Sequence, residues 1–250
     1  MRSALCAVLP ALFATAAMAA ELPKGNCLAP AAGHDLTACD FTGRDLSGLD
    51  LSGAHLDNVR FTDAQLNGTR LNKITAKWAD FRGAQLKSAH LTDADLFHAV
   101  FDKADLSDAK LQRANLFGAN LIATRAPKAD FTGAFLKDLL MHDADLTGAI
   151  LRDCNALRAV LTDSILVGAD LSGSNFTGAD GESADFSSAI LRGTRLGGAS
   201  LRAANFRQAD LTDADFSHAT ITQADFTGVK NLPQTVTDLL IGPHIGVFTR

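Results

Sequence analysis

A large apolar residue returns at every fifth position between Leu36 and Phe226, and no insertion shifts the phase. These 39 positions hold 23 Leu, 10 Phe, one Met and one Ile. The four exceptions are Ala76, Ala126, Ala156 and Gly181. A second series lies two residues earlier in each repeat, and 26 of its 39 members are Ala. The repeating unit is therefore Ala, then Asp or Asn, then Leu or Phe, followed by two polar or small residues.

This five-residue period excludes both regular secondary structures. In an α-helix each step of five turns the large residue by ~140° about the axis, so no apolar stripe forms, although Ala and Leu are strong helix formers. In a straight strand, successive large residues would alternate between the two faces because five is odd. The pattern fits a short extended segment followed by a bend. Ala and Leu then point to the same side, and each bend aims the next pair at a common axis.

A right-angle bend after each repeat would close a square coil every four repeats. The spacing of phenylalanine supports this count. Rings recur 20 residues apart in two series: Phe41, Phe61, Phe81 and Phe101, and again Phe186, Phe206 and Phe226. Such coils would stack ~4.8 Å apart, which would bring these rings together. Alternating large and small side chains would fill the interior, and Gly at corner positions such as Gly43 and Gly168 suits a bend.

The sequence resembles the pentapeptide-repeat family, whose A(D/N)LXX pattern it follows over 191 of its 250 residues. Runs such as Ala94-Asp95-Leu96 and Ala209-Asp210-Leu211 carry the resemblance. The resemblance implies an all-β fold, a right-handed quadrilateral β-helix of about ten coils with short terminal caps. Its handedness follows from the resemblance alone.

We expect the β-helix to span residues 36–229, between an N-terminal cap at 20–35 and a C-terminal cap at 230–250. The caps would cover the open ends of the rod, since bare sheet edges pair with other chains. Pro233 is a suitable start for a short helix. The apolar residues predicted to lie over the last coil are Leu232, Leu239, Leu240 and Ile241.

Residues 1–19 have the features of a secretory signal peptide. Arg2 supplies a positive charge, residues 4–13 are apolar, and Ala17-Met18-Ala19 gives the small-x-small pattern that signal peptidase reads. The alternative is a membrane anchor, but the apolar run is shorter than the ~20 residues that a span needs. We therefore predict cleavage after Ala19, a periplasmic or secreted protein, and no stable membrane span.

Three cysteines remain after this cleavage. In an oxidising compartment Cys27 and Cys39 could pair and tie the N-terminal segment to the first repeats. Cys154 occupies a small inward position of the repeat and is predicted to be a core residue.

The sequence offers little for catalysis, for a cofactor or for a metal. The Asp residue of each repeat is predicted to be a solvated polar position that bonds to local backbone. The His residues scatter over different faces, and phosphate-loop, zinc-helix and nucleophile-elbow motifs are absent. We therefore predict no catalytic residue, no cofactor and no metal site. The net charge of −5 without a basic face also argues against nucleic-acid binding.

Some outward positions carry large apolar side chains in place of the usual polar or small ones. When the chain is mapped onto coils of four repeats, they cluster on two adjoining faces of the middle coils. This apolar patch comprises Trp78, Phe97, Phe117, Ile122, Phe135, Leu140, Leu157 and Val160. Contiguous exposed apolar surface tends to mark a partner site, so the patch predicts binding of a protein or self-association. The alternatives are that such residues are ordinary surface or that a tail covers them.

Three functions remain open. The first is a non-catalytic exported scaffold or protein-binding solenoid, the use to which such rods are commonly put. The second is implied by the resemblance, because some members of that family are acidic rods that mimic DNA and act on type II topoisomerases. The signal peptide and the Lys and Arg among the Asp residues argue against it. The third is an enzyme of the cell envelope, which nothing in the motifs favours.

Overall fold

The computed structural model describes residues 25–241, which form a rod of stacked square coils. A series of parallel β-bridges joins each bridging residue to its equivalent four repeats later, from Asp35 with His55 to Asp210 with Lys230. Each coil contributes one bridging residue to each of four faces, so a face is a ladder of single parallel bridges. The predicted count of four repeats per coil is therefore confirmed.

Backbone hydrogen bonds explain why one repeat makes one side of the square. Around Leu96, the N–H of Leu96 donates to the carbonyl of Asn115 in the next coil at 2.8 Å, and the N–H of Asn115 donates to Ala94 at 2.9 Å. At the corner, the N–H of Ala99 donates to the carbonyl of Leu96 at 3.0 Å and closes a turn. The second central residue of this turn, His98, has φ of 53°, and a positive φ at this position is a feature of type II turns.

Every corner places its last residue in the left-handed region. From Gly33 to Gly228, every fifth residue has φ between 53° and 72°. Fewer than half of these corner residues are Gly, and the others include side chains as large as that of Trp78. Because L residues rarely adopt this conformation, the backbone hydrogen bonds to neighbouring coils on both sides of the corner must hold it in place.

The interior is built as the repeat predicts. Leu96, Leu106 and Leu116 are fully buried, as is the Ala two residues before each of them apart from 1% at Ala94. Phenylalanine rings stack in neighbouring coils, with centroids 5.4, 5.1 and 4.6 Å apart from Phe41 to Phe101 and 4.9 and 5.0 Å apart from Phe186 to Phe226. The large-and-small alternation thus produces one continuous core.

The hydroxyl and thiol groups at the small inward sites all form the same kind of hydrogen bond. Each hydroxyl or thiol donates to a backbone carbonyl on the preceding coil. The donors are Thr69, Thr124, Cys154, Ser164, Ser174 and Thr194. These near-isosteres of Ala therefore fit the core without leaving a buried donor unpaired.

Gly181 leaves a large inward site without a side chain, and its neighbours close in. An added Cβ at Gly181 would meet Cδ2 of Leu201 at 3.1 Å and Cε2 of Phe186 at 3.6 Å. The missing side chain predicts a local cavity or an inward shift of neighbours at this site, and the side chains of Leu201 and Phe186 lie close to it.

The N-terminal end is closed by the segment before the first coil. Gly25 donates its N–H to the carbonyl of Thr37 at 2.8 Å, and Asn26 donates to Asp35 at 2.9 Å. A disulfide joins Cys27 to Cys39, whose Cα atoms are 5.5 Å apart. The segment is thus attached to the first coil both by backbone bonds and covalently.

The C-terminal end is covered by the helix α1, which spans Gln234–Ile241. The side chain of Val236 is fully buried, and Leu239 and Leu240 pack against the core. Leu232, which was also predicted to lie over the last coil, lines a surface hollow together with Ala214 but stays 42% exposed. Val236, which the sequence analysis did not single out, is the residue buried here.

Three predicted features lie wholly or partly outside the described residues. They are the signal peptide at 1–19, the first residues of the N-terminal cap at 20–24, and the end of the C-terminal cap at 242–250. The side chain of Ile241 is not described either. Within residues 25–241, no helix is long and apolar enough to cross a membrane.

Candidate functional site

The outward aspartates act mainly as caps for the local backbone. Oδ1 of Asp45 accepts the N–H of Ser47 at 3.0 Å, and Oδ1 of Asp185 accepts that of Ser187 at 2.9 Å. These bonds stabilise the carboxylate, so the backbone N–H of Ser47 lowers the pKa of Asp45. The Asp position is thus explained by the turn that follows it.

Other aspartates, at the corner positions, form ion pairs between neighbouring coils. Arg113 pairs with Asp93 at 2.7 Å and Arg158 with Asp138 at 2.7 Å, each between equivalent positions of successive coils. Hydrogen bonds from the Arg158 guanidinium lower the pKa of the Asp138 carboxyl. Positive charge therefore lies between the rows of Asp, and the faces that carry these pairs do not present an unbroken acidic surface.

The possible metal-binding side chains and the free thiol of the described part of the chain bear on whether it has a reactive site. Among residues 25–241 there is no group of three or more His, Cys, Asp or Glu side chains that could hold a metal ion. The free thiol of Cys154 is buried and donates to the carbonyl of Phe131 at 3.0 Å. Burial raises the pKa of this thiol to about 12, so it stays protonated and unreactive at neutral pH.

The aromatic members of the apolar patch form one continuous set of ring contacts, which we call the aromatic ladder. Its members are Trp78, Phe97, Phe117 and Phe135. Trp78 meets Phe97 edge-on with centroids 5.5 Å apart, and Phe97 stacks on Phe117 at 5.4 Å with planes only 5° apart. Phe117 stacks on Phe135 at 6.0 Å. The ladder spans four successive coils at one corner of the rod.

Two members of the aromatic ladder are exposed to solvent. The side chain of Trp78 is 54% exposed and that of Phe135 37%, while Phe97 and Phe117 are half-buried by their stacking. Trp78 also has φ of 54°, so a bulky ring is held at a strained corner position. Burial against another surface would remove this apolar area from water.

Charged groups border the aromatic ladder. Nζ of Lys137 lies 5.7 Å from the centroid of Phe117, within range of a cation–π contact. Next to it, Arg158 and Asp138 form a bidentate ion pair, in which Nε donates to Oδ1 at 2.7 Å and Nη2 donates to Oδ2 at 2.8 Å. Of these residue types, Trp and Arg are enriched at binding hot spots.

The remaining predicted members of the patch lie beside the ladder. Leu140 and Val160 are bridging residues of the adjoining face, and Ile122 and Leu157 occupy corners; all four are half-buried. The sequence reasoning missed Val100, which lies two coils from Leu140 in the same column. It also missed His98, whose ring lies 4.3 Å from that of Phe97. A column map that includes polar rings would have found His98.

Two buried amide oxygens in this region lack a hydrogen bond. Oδ1 of Asn120, between Val100 and Leu140, and Oδ1 of Asn155, next to Phe135, have no partner. At Asn120 the reason is local: the N–H of Ile122, which the usual pattern would direct to it, donates instead to Asp102 at 3.2 Å. An unpaired buried oxygen of this kind is unfavourable for stability.

Comparison with known proteins agrees with this geometry. A sequence profile described as pentapeptide repeats (8 copies) matches residues 140–178, 164–202 and 189–228, and one described as a pentapeptide repeat region matches 34–103. HetL from the cyanobacterium Nostoc sp. strain PCC 7120, a pentapeptide-repeat protein involved in heterocyst differentiation regulation, is 30% identical with a TM-score of 0.53. The match covers 78% of this chain and 88% of HetL. The chain belongs to the pentapeptide-repeat family.

The family membership establishes the predicted right-handed quadrilateral β-helix. Two more distant pentapeptide-repeat structures match. Rfr23 from the cyanobacterium Cyanothece 51142 is 21% identical over 48% of this chain and 90% of its own, with a TM-score of 0.36. Trypsin-treated QnrB1, a plasmid-mediated fluoroquinolone resistance protein, is 23% identical over 84% of this chain and 94% of its own, with a TM-score of 0.35. No curated protein shows significant sequence similarity to the chain.

Proposed function

We propose that this pentapeptide-repeat protein is a non-catalytic scaffold that works outside the cytoplasm and binds a protein partner through the apolar patch. The observation that carries the proposal is the aromatic ladder from Trp78 to Phe135, which is continuous and partly exposed on a rod whose outward positions are otherwise mostly polar. Apolar surface of this kind is characteristic of interaction sites.

The proposed partner site occupies a single corner of the rod. Other exposed large apolar side chains are isolated: Ile165 lies on another face, and Leu28 and Leu232 lie at the two ends. Single residues of this sort need no partner. The stacked rings, by contrast, are held rigidly by the coil and lose little conformational freedom when they bind.

Two observations support a non-catalytic role that is unlike DNA mimicry. The perturbed carboxyl groups are explained by turn bonds and by pairing with Arg, as for Asp138, and not by convergence in a cleft. A DNA mimic needs an extended acidic face, whereas Arg113 and Arg158 lie among the Asp residues of this rod.

Export is supported by the signal-like sequence of residues 1–19 and by the Cys27–Cys39 pair. Structural disulfides form in oxidising compartments and are rare in the cytoplasm. Fusion of alkaline phosphatase to the C-terminus tests the proposal, because that reporter is active only after export. We expect activity with the full chain and none after deletion of residues 1–19. Equal activity of the two fusions would refute export.

Binding is tested by the double variant Phe97→Ser/Phe117→Ser, with Ile150→Ser/Ile190→Ser as the matched control on another face. Both pairs are half-buried outward residues, so both variants should keep the circular dichroism spectrum of the rod. Tagged proteins are used to capture envelope proteins, and each captured protein is then purified and titrated directly. We expect saturable binding to the parent and the control and its loss with the ladder variant. Binding that survives in the ladder variant rules out this surface.

A further inference from the structure

We propose that the partner of the apolar patch is a second copy of this chain, packed side by side and antiparallel about a two-fold axis at the level of Phe117. The inference rests on the function proposed above, because it uses the same surface. It follows from the order of residues along two neighbouring columns of the rod.

The two columns meet at the corner that carries the aromatic ladder. Because equivalent positions of successive coils are four repeats apart, one column holds Lys77, Phe97, Phe117, Lys137 and Leu157. The next holds Trp78, His98, Gly118, Asp138 and Arg158. Contacts between coils confirm the alignment, since Phe97 stacks on Phe117 and Arg158 pairs with Asp138.

A two-fold axis that crosses the rod at Phe117 lies in the contact plane and keeps each column opposite itself. Residues at equal distances above and below Phe117 then face each other. Trp78 faces Arg158 of the second copy, and His98 faces Asp138. In the first column Phe97 faces Lys137, and Phe117 faces its own equivalent. Such an isologous contact is the usual form of a dimer interface.

These pairings are chemically complementary. Trp78 with Arg158 and Phe97 with Lys137 are cation–π pairs, and His98 with Asp138 joins a hydrogen-bond donor to a carboxylate. Lys77 faces Leu157, against which its aliphatic stem can pack. In this register, charges of the same sign do not face each other in the two columns.

A parallel arrangement does not combine these contacts. A two-fold axis along the rod through the second column would bring Arg158 onto Arg158 of the second copy and Asp138 onto Asp138, and like charges placed together at an interface are unfavourable. An axis through the first column would do the same for Lys137. An axis between the columns would set Asp138 against Lys137 but Phe117 against Gly118. Only the antiparallel register places Phe117 against its own equivalent while it keeps like charges apart.

The oligomeric state is the first test. Sedimentation equilibrium of the purified protein should show a concentration-dependent species of twice the chain mass. The Phe97→Ser/Phe117→Ser variant should remain at the mass of one chain, whereas the Ile150→Ser/Ile190→Ser control should still form the dimer. A parent protein that stays monomeric at all concentrations contradicts the proposal.

Cross-linking tests the register. Single variants Lys77→Cys and Leu157→Cys, each made in a Cys6→Ser background, leave the ring contacts of the ladder in place. Cys154 is buried and Cys27 is bonded to Cys39, so the new thiol is the reactive one in the folded protein. We expect a disulfide-linked dimer when the two variants are mixed and none with either alone. Cross-linking of each variant with itself would show the parallel register and overturn the proposal.

The outcomes separate this inference from the proposed function. If the protein is monomeric, and the ladder variant loses a different envelope partner that the control retains, self-association is wrong while the binding role stands. If the ladder variant changes neither the mass nor the binding of any partner, both are wrong.

Discussion

The hydroxyl of Ser174 accepts a hydrogen bond from the backbone N–H of Cys154, one coil earlier, at 2.8 Å. The same hydroxyl donates to the carbonyl of Leu151. At most other corners these two backbone groups bond directly, as Ala159 does with Ala156 at 3.0 Å. Here the hydroxyl is inserted between them, so both backbone groups depend on Ser174.

Replacement of Ser174 by Ala should therefore leave a buried N–H and a buried carbonyl unpaired. We expect Ser174→Ala to lower the free energy of unfolding by ~1–3 kcal/mol, the usual effect of an orphaned buried group. The control is Ser164→Ala. Ser164 donates to Met141, whose carbonyl also accepts the N–H of Ala144, so its loss should cost less than ~1 kcal/mol. Equal effects in urea denaturation would show that the Ser174 corner closes on its own.

A second prediction concerns the orphaned amide of Asn120. Replacement by Val removes the unpaired buried oxygen and joins Val100 to Leu140 in one apolar column. Asn120→Val should raise the free energy of unfolding by ~1 kcal/mol.

Asn115→Val is the matched control for this substitution. Asn115 donates to Asp95 at 2.8 Å and accepts the N–H of Phe117 at 3.2 Å. Its replacement should destabilise the rod in the same thermal or urea assay. Destabilisation by Asn120→Val as well would show that its amide is satisfied in solution.

The core could be predicted from the sequence because the period of the repeat, the size of each side chain and the direction in which it points depend on one another. A residue such as Leu116 can point inward at every fifth position only if the chain turns a corner each time. The surface was less predictable. Asn115 and Asn120 occupy the same position of the repeat, but only Asn115 accepts the N–H two residues further on, that of Phe117. The corresponding N–H of Ile122 donates to Asp102 on the neighbouring coil. The repeat pattern does not show this difference. At Gly181, the repeat indicates a missing Leu or Phe, but how closely Leu201 and Phe186 approach the site depends on packing that only the coordinates show.

The corner conformation gives a third prediction. A Cβ at Gly198, where φ is 66°, would meet no atom within 4 Å, so Gly198→Ala isolates the backbone effect. We expect it to lower the free energy of unfolding by ~1 kcal/mol, because the left-handed region is unfavourable for L residues.

The reverse change at the next corner should have the opposite sign. Ala203 is exposed with φ of 55°, and Ala203→Gly should raise stability by up to ~1 kcal/mol. Two changes of the same sign in urea denaturation would contradict the argument from φ.

The last prediction concerns Asp210, whose side chain is only 8% exposed. Its Oδ1 accepts the hydroxyl of Thr212 at 2.6 Å, and its Oδ2 accepts Nη2 of Arg192 at 2.7 Å. The hydrogen bond from Thr212 has the largest effect and that from Arg192 the next, and together they lower the pKa of Asp210 from 3.8 to about 2. Because the folded-state pKa is below the unfolded value, this carboxylate stabilises the fold above about pH 4, and the contribution is lost as the pH falls towards about 2.

Asp210→Asn should therefore be less stable than the parent at pH 7, and the difference should shrink as the pH falls from about 4 to about 2. The measurement is the urea midpoint at a series of pH values. Asp163→Asn, at an exposed corner, is the control and should follow the parent closely. A difference between Asp210→Asn and the parent that stays constant down to about pH 2 would mean that the carboxylate charge plays no part, and that the variant loses only packing or the hydrogen bond from Thr212.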